Sequence, residues 1–249
     1  VFIRDGSGQW SQQAKLTASD PAKGDEFGYS VSMNGHTALV GAWGKDRVSS
    51  PSSGAAYVFI RGVNGVWTEQ EKLIASDAAS GDHFGIAVSI QGDTALIGAY
   101  RDNTAAGLNA GSAYVFTRDA TGQWHEQAQL TASDAAAGDF FGNAVSMDGD
   151  TAMVGMQLND DVGTNSGSAY IFTPDGTGSW RQHQQAKLTA SDAAANDKFG
   201  IAVSIHGDTA LVGAYQNDDG VSNAGSAYLF TRDRTGLWLQ QVKLTASDS

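Results

Sequence analysis

Cysteine is absent from this 249-residue chain. The sequence therefore has no disulfide framework, no thiolate metal site and no cysteine nucleophile. Proline is scarce as well, with 3 residues against 31 glycines, a balance typical of tight turns between short strands. No apolar stretch is long enough to span a bilayer, so we expect no membrane insertion.

Basic residues are also in short supply. The chain has 15 Lys and Arg residues against 27 Asp and Glu, which gives a formal net charge of -12 and a pI of about 4.6. Nucleic acids and anionic membrane surfaces both attract basic patches, so we expect neither as a partner. The composition suits a soluble, salt-exposed protein that attracts cations.

A repeat of 57 or 58 residues organises the sequence. A Phe-Gly pair recurs at Phe27, Phe84, Phe141 and Phe199. A period of this length predicts an array in which each unit buries its apolar face against the next. The predicted units are a half repeat at 1–20 and four full repeats at 21–77, 78–134, 135–192 and 193–249. Because Val1 falls inside a repeat, we expect the chain to be a segment of a longer protein.

Each full repeat is predicted to form four antiparallel strands, at 84–90, 94–99, 112–117 and 124–130 in the second repeat. A tight hairpin turn is expected at Gln91-Gly92, where the other repeats have Asn34-Gly35, Asp148-Gly149 and His206-Gly207. The second strand, TALIGA, is almost wholly apolar, as in a strand that is covered on both faces. In the fourth strand, alternation predicts one shared face for Trp124, Glu126, Ala128 and Leu130. Apolarity falls from the second strand to the fourth, which predicts a β-propeller blade with a wet outer edge.

The repeat also resembles a known family. Phe-Gly at the start of the first strand and Gly-Ala-aromatic at the end of the second resemble the FG-GAP repeat of integrin α-subunit propellers. The fuller pattern, FGxxVSxxGDTALVGAY…GSAYVFTR…W…QxKLTASD, is similar to the FG-GAP variant of bacterial secreted and surface proteins. The resemblance implies an all-β propeller, typically of seven blades, with an extracellular adhesion or ligand-binding role. The chain departs from it in having four and a half repeats. Where the family has proline, the expected replacements are Trp43, Tyr100, Met156 and Tyr215.

Calcium is the cofactor that the resemblance raises. Integrin-type repeats hold it in a DxDxDG loop between the first two strands, but a two-residue turn cannot supply the six to eight oxygens that calcium takes. The loop after the second strand is richer in oxygen ligands. Its candidates for a ligand or cation site are Asp102, Asn103, Asp160, Asp161, Asp218 and Asp219, of which Asp160, Asp161, Asp218 and Asp219 are the metal candidates. The alternative is a solvated loop without a bound ion.

Aromatic side chains offer a second candidate site. Trp43, Tyr100 and Tyr215 end the second strands, so they are expected on one face of the propeller beside the acidic loops. They either stack on a sugar ring or fill the gap between adjacent blades. The Phe-Gly phenylalanines, the Tyr and Phe of the third strand and the fourth-strand Trp are expected in the core.

Other polar residues favour structural roles. The Asp pairs between repeats (Asp20/Asp25, Asp77/Asp82, Asp134/Asp139 and Asp192/Asp197) recur four times, which suits turns better than one active site. The five histidines share no position in the repeat and are expected to be exposed, and no common catalytic motif is present. We therefore expect a non-enzymatic extracellular recognition or adhesion module for a glycan or protein ligand. The alternative is a structural subunit that self-associates through half-blades.

Overall fold

The computed structural model describes residues 1–180, 184–218 and 220–247. Over these residues the protein is all-β, with one hairpin followed by four four-stranded antiparallel sheets, the arrangement of propeller blades. The described residues include no helix long and apolar enough to cross a membrane. The predicted fold class is confirmed.

The strands follow the repeat. The hairpin consists of β1 (Phe2–Arg4) and β2 (Trp10–Gln12). Blade 1 consists of β3 (Val31–Asn34), β4 (Thr37–Ala42), β5 (Ala55–Arg61) and β6 (Trp67–Leu73). Blade 2 consists of β7 (Ala87–Gln91), β8 (Thr94–Ala99), β9 (Ser112–Arg118) and β10 (Trp124–Leu130). Blade 3 consists of β11 (Phe141–Asp148), β12 (Thr151–Met156), β13 (Ser168–Phe172) and β14 (Gln184–Leu188). Blade 4 consists of β15 (Phe199–His206), β16 (Thr209–Ala214), β17 (Ser226–Arg232) and β18 (Trp238–Leu244).

Pairing within each blade is in chain order, from the first strand to the fourth. Among the described residues, no strand of blade 4 pairs with blade 1 or with the hairpin.

The hydrophobic core lies between the blades. We call the face of a blade that meets the previous blade its leading face, and the opposite face its trailing face. In one cluster, Leu39, Val58 and Leu73 on the trailing face of blade 1 pack against the leading face of blade 2, including Phe84 and Tyr114. The same arrangement recurs between blades 2 and 3 and between blades 3 and 4. Since each fully buried aliphatic or aromatic side chain contributes about 1.5–3 kcal/mol, most of a blade's stabilisation depends on its neighbours.

The Phe-Gly phenylalanine joins each blade to its own third strand. Phe84 packs edge-on against Tyr114 and Phe116, with ring centroids 5.5 and 6.0 Å away. Equivalent contacts involve Phe27, Phe141 and Phe199. The expectation that these aromatic residues form the core is confirmed for the three internal interfaces, where Phe84, Phe141 and Phe199 are fully buried.

Glycines allow the backbones of adjacent blades to touch. A Cβ atom on Gly98 would lie 2.0 Å from the carbonyl oxygen of Gly142, and one on Gly111 would lie 2.1 Å from that of Phe141. Gly142 also has a φ of 90°, in the left-handed region that favours glycine. Contact between blades therefore requires glycine in the Gly-Ala motifs of blades 1 to 3 and in the Phe-Gly motifs of blades 2 to 4. Gly28 and Gly213 have no such contact.

Two predicted details of the hairpin formed by the first two strands of blade 2 are wrong. In blade 2 the first strand begins at Ala87, not at residue 84, and Phe84 forms only an isolated bridge to Gly54. In blades 3 and 4 the first strand does begin at the Phe-Gly phenylalanine. The turn is also one residue later than predicted, since Gln91 pairs with Thr94. The central residues are thus Gly92 and Asp93, and only the glycine has positive φ, at 57°. Glycine at the first central position is the preference of a type II′ turn.

The predicted faces of the fourth strand are also wrong. The register of β10 against β9 shifts between Glu126 and Ala128, as in a β-bulge. An extra residue reverses the side-chain alternation beyond it. Trp124 therefore packs toward blade 1, whereas Ala128 and Leu130 pack toward blade 3. The bulge also places Gln129 directly opposite Tyr114.

Blade 4 presents a trailing face with no following blade among the described residues. β4 and β16 have the same sequence, TALVGA, but every residue of β4 is buried whereas Thr209 and Leu211 of β16 are exposed. Leu211 is 37% exposed. Burial of the second strand therefore comes from neighbouring blades and not from its sequence alone.

The glycine contacts predict a position-specific effect of one substitution. Gly98→Ala forces the new methyl group onto the backbone of blade 3, and we expect a loss of about 3 kcal/mol of unfolding free energy from overpacking. Thermal denaturation measures this as a fall in melting temperature of roughly 6 °C or more.

Gly213→Ala is the matched control, because its Cβ would meet nothing closer than Ala202 Cβ at 3.6 Å. We expect its melting temperature to stay close to that of the unmodified protein. Equal losses for the two variants would contradict the backbone contact as the cause.

Candidate functional site

A row of aromatic rings crosses blades 1 to 3 where the second strands end. The rings of Tyr29, Trp43, His83, Tyr100 and Phe140, which we call the aromatic row, contact one another in that order. Successive centroids are 6.0, 4.5, 5.4 and 5.1 Å apart. His83 and Phe140 each stand immediately before a Phe-Gly pair. Each of the two residues has a backbone φ near 60°. This backbone conformation directs both rings toward the preceding blade, where Trp43 and Tyr100 lie.

The predicted aromatic ligands have different environments. Trp43 and Tyr100 are half-buried within the aromatic row, so they fill the gap between adjacent blades while keeping part of each ring in solvent. Tyr215 is 51% exposed, and the ammonium group of Lys198 lies 5.5 Å from its ring centroid. Part of each of these three rings is therefore accessible, and a ligand role for Trp43, Tyr100 and Tyr215 stays a prediction.

Two sequence assignments near the row need correction. Phe141 pairs with Met156 as Phe199 pairs with Ala214, so Gln157 and not Met156 occupies the position of Tyr215. His83 is buried, contrary to the expectation of exposed histidines, because it packs between Trp43 and Tyr100. Burial lowers the pKa of His83 to about 4, and the positive charge of Arg101 adds to the effect. His183 lies outside the described residues.

Several predicted loop ligands stabilise the loop after the second strand. The side-chain oxygens of Asn103, Asp160 and Asp218 accept hydrogen bonds from the backbone N–H of Asn109, Asn165 and Asn223, at 2.8, 2.7 and 2.6 Å. These three acceptors occupy equivalent positions in the repeat, and all three donors have positive φ. Asp161 forms an ion pair with Lys187. Asp219 lies outside the described residues, and a cation bound in these loops stays a prediction.

The Asp residue that ends each repeat binds a tyrosine in the next blade. The hydroxyl groups of Tyr57, Tyr114, Tyr170 and Tyr228 donate to Asp20, Asp77, Asp134 and Asp192 at 2.7–2.9 Å. In blades 1, 3 and 4 a lysine also pairs with this carboxylate. In blade 1, burial alone raises the pKa of Asp20, but hydrogen bonds from Tyr57 and Lys72 outweigh it and lower the pKa to about 2.

The second Asp of each pair is buried and closes a turn. Asp25, Asp82, Asp139 and Asp197 accept hydrogen bonds from the backbone N–H three residues earlier. This role agrees with the turn function predicted for the Asp pairs. In blades 1 and 4 the same carboxylates also bind a side chain from the loop after the second strand, Lys45 at 2.8 Å and Asn217 at 2.9 Å.

Blade 2 breaks this pattern. The residue equivalent to Lys45 and Asn217 is Asp102, which is 5% exposed. The residue equivalent to the lysine of the other blades is Gln129. We call the group formed by Asp77, Asp82, Asp102, Ser112, Tyr114 and Gln129 the blade 2 pocket. Burial raises the pKa of Asp82 to about 6, and the charges of Asp102 and Asp77 add to this rise against the hydrogen bond from Ala79.

Comparison with known families agrees with the repeating geometry. The chain matches the sequence profile of the FG-GAP repeat over residues 10–59, 67–116, 124–172 and 182–230. The protein belongs to the FG-GAP repeat family. No match was found among curated protein sequences. The first three FG-GAP matches begin at Trp10, Trp67 and Trp124 and end in the third strand of the next blade, so each match includes one interface between blades.

Sequence reasoning had assigned Asp102 to a loop site but missed the blade 2 pocket. Alignment of the repeats contains part of the signal, since Gln129 stands where three repeats have lysine. The bulge that brings Gln129 to Tyr114 has no comparable signature, because the expected alternation faces Gln129 the other way.

Proposed function

We propose that this FG-GAP protein is a non-enzymatic extracellular recognition or adhesion module that binds a glycan or protein ligand through the aromatic row and the exposed ring of Tyr215 in blade 4. The observation that carries the proposal is the continuity of the row over three blades. A single exposed ring is common on protein surfaces, whereas contiguous rings at equivalent repeat positions provide an extended binding surface.

Polar groups beside the rings suit a ligand with hydroxyl or carboxylate groups. The guanidinium group of Arg101 lies 5.3 Å from the centroid of the Tyr100 ring. Lys198 Nζ donates to the Tyr215 hydroxyl at 3.2 Å. The ring faces would stack on the apolar face of a sugar, and the cations would bind its oxygens. Because the blades repeat, several weak sites on one chain would raise the avidity for a polymeric ligand.

A double substitution tests the aromatic site. We expect Tyr100→Ala together with Tyr215→Ala to abolish retention on a glycan array to which the unmodified protein binds, because both half-exposed rings are lost. Trp10→Ala is the matched control, since Trp10 is an exposed aromatic residue of the hairpin outside the row. Unchanged retention by the folded double variant would contradict the site.

A second candidate is a structural role in an assembly of blades. Leu211, Val242 and Leu244 on the trailing face of blade 4 are 37%, 41% and 47% exposed. In the preceding blades the positions of Leu211 and Leu244 are fully or almost fully buried against the next leading face. This face is therefore suited to the leading face of a further blade, which a second copy of the chain would supply.

Light scattering at low and high concentration tests the structural role. Self-association through this face predicts defined oligomers or polymers, and Leu211→Lys should return them to the 25.9 kDa monomer. Leu237→Lys, at an exposed turn position, is the control. A monomer at both concentrations would contradict this second proposal and leave the binding module as the better account.

A further inference from the structure

An arginine at one corner of blade 1 lacks the carboxylate that its equivalents bind. Arg118 Nε donates to Asp93 Oδ1 at 2.8 Å in blade 2, and Arg232 Nε donates to Asp208 Oδ1 at 2.7 Å in blade 4. Arg61 is the equivalent residue of blade 1, but its buried Nε has no hydrogen-bond partner. A buried donor without an acceptor is costly, because it has lost its water and gained no partner in return.

The acceptor is missing because one position of the repeat differs in blade 1. The backbone N–H of Arg61 donates to the carbonyl oxygen of His36 at 2.8 Å, as that of Arg118 donates to Asp93. His36 therefore stands where blades 2 and 4 have the aspartate. An imidazole removes the negative charge from this position and carries an N–H donor instead.

A second carboxylate is missing from the same corner. In blade 2 Asp119 follows Arg118 and accepts hydrogen bonds from the backbone N–H and the hydroxyl group of Thr121, at 2.8 and 2.7 Å. Asp233 has the same role in blade 4. Blade 1 has Gly62 at this position. Both differences remove negative charge beside the arginine, in a chain whose net charge is -12.

A cavity lies beside this arginine. Its volume is about 310 Å³, and it is lined by His36, Arg61, Gly62, Val63 and Gly65. This volume is at the lower end of the range for small-molecule sites. No acidic side chain lines the cavity, and Arg61 forms no ion pair within the described part of the chain.

Glycine at position 65 keeps two donors at the edge of the cavity. A Cβ atom on Gly65 would lie 3.8 Å from Arg61 Nη2 and 3.5 Å from Gln13 Nε2. Gln13 Oε1 accepts a hydrogen bond from Trp67 Nε1 at 3.1 Å, which directs the NH2 group of the amide toward the glycine. The corner thus brings guanidinium, amide and imidazole donors together without a carboxylate.

We propose that this corner of blade 1 binds a small carboxylate anion, whose oxygens take the place of the aspartate side chain that the equivalent arginines bind in blades 2 and 4. Arg61 is the principal ligand, through the Nε and Nη2 donors that Arg118 and Arg232 present to their aspartates. His36 is exposed, so its imidazole can turn aside to admit a carboxylate oxygen to Nε and then donate to the same anion. Gln13 Nε2 completes the site.

The donor set favours a carboxylate over phosphate or sulfate. A guanidinium group and a carboxylate are both planar and pair through two parallel hydrogen bonds. Among the residues that line the cavity, Arg61 is the one permanent cation, and it balances the single charge of a carboxylate. His36 and Trp43 flank opposite ends of β4, so the cavity is separate from the aromatic row and this inference is independent of the proposed function.

Titration of the nitrogen-15-labelled chain with sodium acetate at pH 7.0 and constant ionic strength tests the proposal. The probe is the Nε–Hε resonance of Arg61 in a heteronuclear NMR spectrum, which Arg61→Lys assigns by its loss. We expect this resonance to shift and to saturate in the millimolar range, since one charge-assisted pair carries the binding. The Arg118 resonance is the internal control and should not move, because Asp93 already pairs with this guanidinium.

Sodium glucuronate and N-acetylglycine carry the carboxylate on a sugar and on a peptide terminus. Saturable binding of either supports the proposal, and the one that binds more tightly identifies the source of the carboxylate. Tighter binding of inorganic phosphate than of acetate would overturn the carboxylate assignment.

Two variants keep the test specific. His36→Asp recreates the corner of blades 2 and 4, so it should abolish acetate binding and raise the melting temperature by about 2 °C. Arg234→Gln removes an exposed arginine from a turn of blade 4 and should bind acetate as the unmodified protein does. No saturable shift, equal shifts of the Arg61 and Arg118 resonances, or unchanged acetate affinity of His36→Asp would overturn the proposal.

Discussion

Contact between the backbones of adjacent blades is the constraint on which the rest of this structure depends. Glycines at equivalent positions of the repeat bring a carbonyl oxygen of one blade to about the position a Cβ atom would take in the next. This distance sets the depth to which Phe84, Phe141 and Phe199 are buried and the width of the gap that Trp43 and Tyr100 fill. Without the glycines the blades would stand apart, and neither the apolar clusters nor the aromatic row would form as observed.

Hydrogen bonds between polar side chains also join adjacent blades, and some of their members differ from one blade to the next. Ser76 donates from its N–H and hydroxyl to Glu126 of the following blade, and Ser19 binds Glu69 in the same way. The Tyr–Asp contact recurs in all four blades, whereas the third member changes from lysine to Gln129 in blade 2. Residues that are the same in every copy of the repeat thus determine the fold. Residues that differ between copies, such as Gln129, change the polar contacts of one blade.

Much of the fold could be predicted because the sequence contains several copies of each strand and turn, which can be compared with one another. The strand order, the apolar second strand and the core role of Phe84 and Tyr114 follow from periodicity and composition. The bulge at Glu126 could not be predicted, because it depends on how β10 pairs with β9. The burial of His83 was also missed, since it results from a ring on the previous blade. For the candidate site, position in the repeat predicted that the aromatics lie together, but not that Asp102 faces the core of its blade.

Hydrogen exchange of the two TALVGA strands tests most directly whether neighbouring blades, and not the isolated sheets, provide the stability. β4 and β16 have identical sequences and hence very similar intrinsic exchange rates, and they differ in burial. The account predicts amide protection in β16 that is at least about tenfold lower than in β4, because sub-global opening follows the contacts that each element makes. Equal protection of the two strands would contradict it and would mean that each blade is stable by itself.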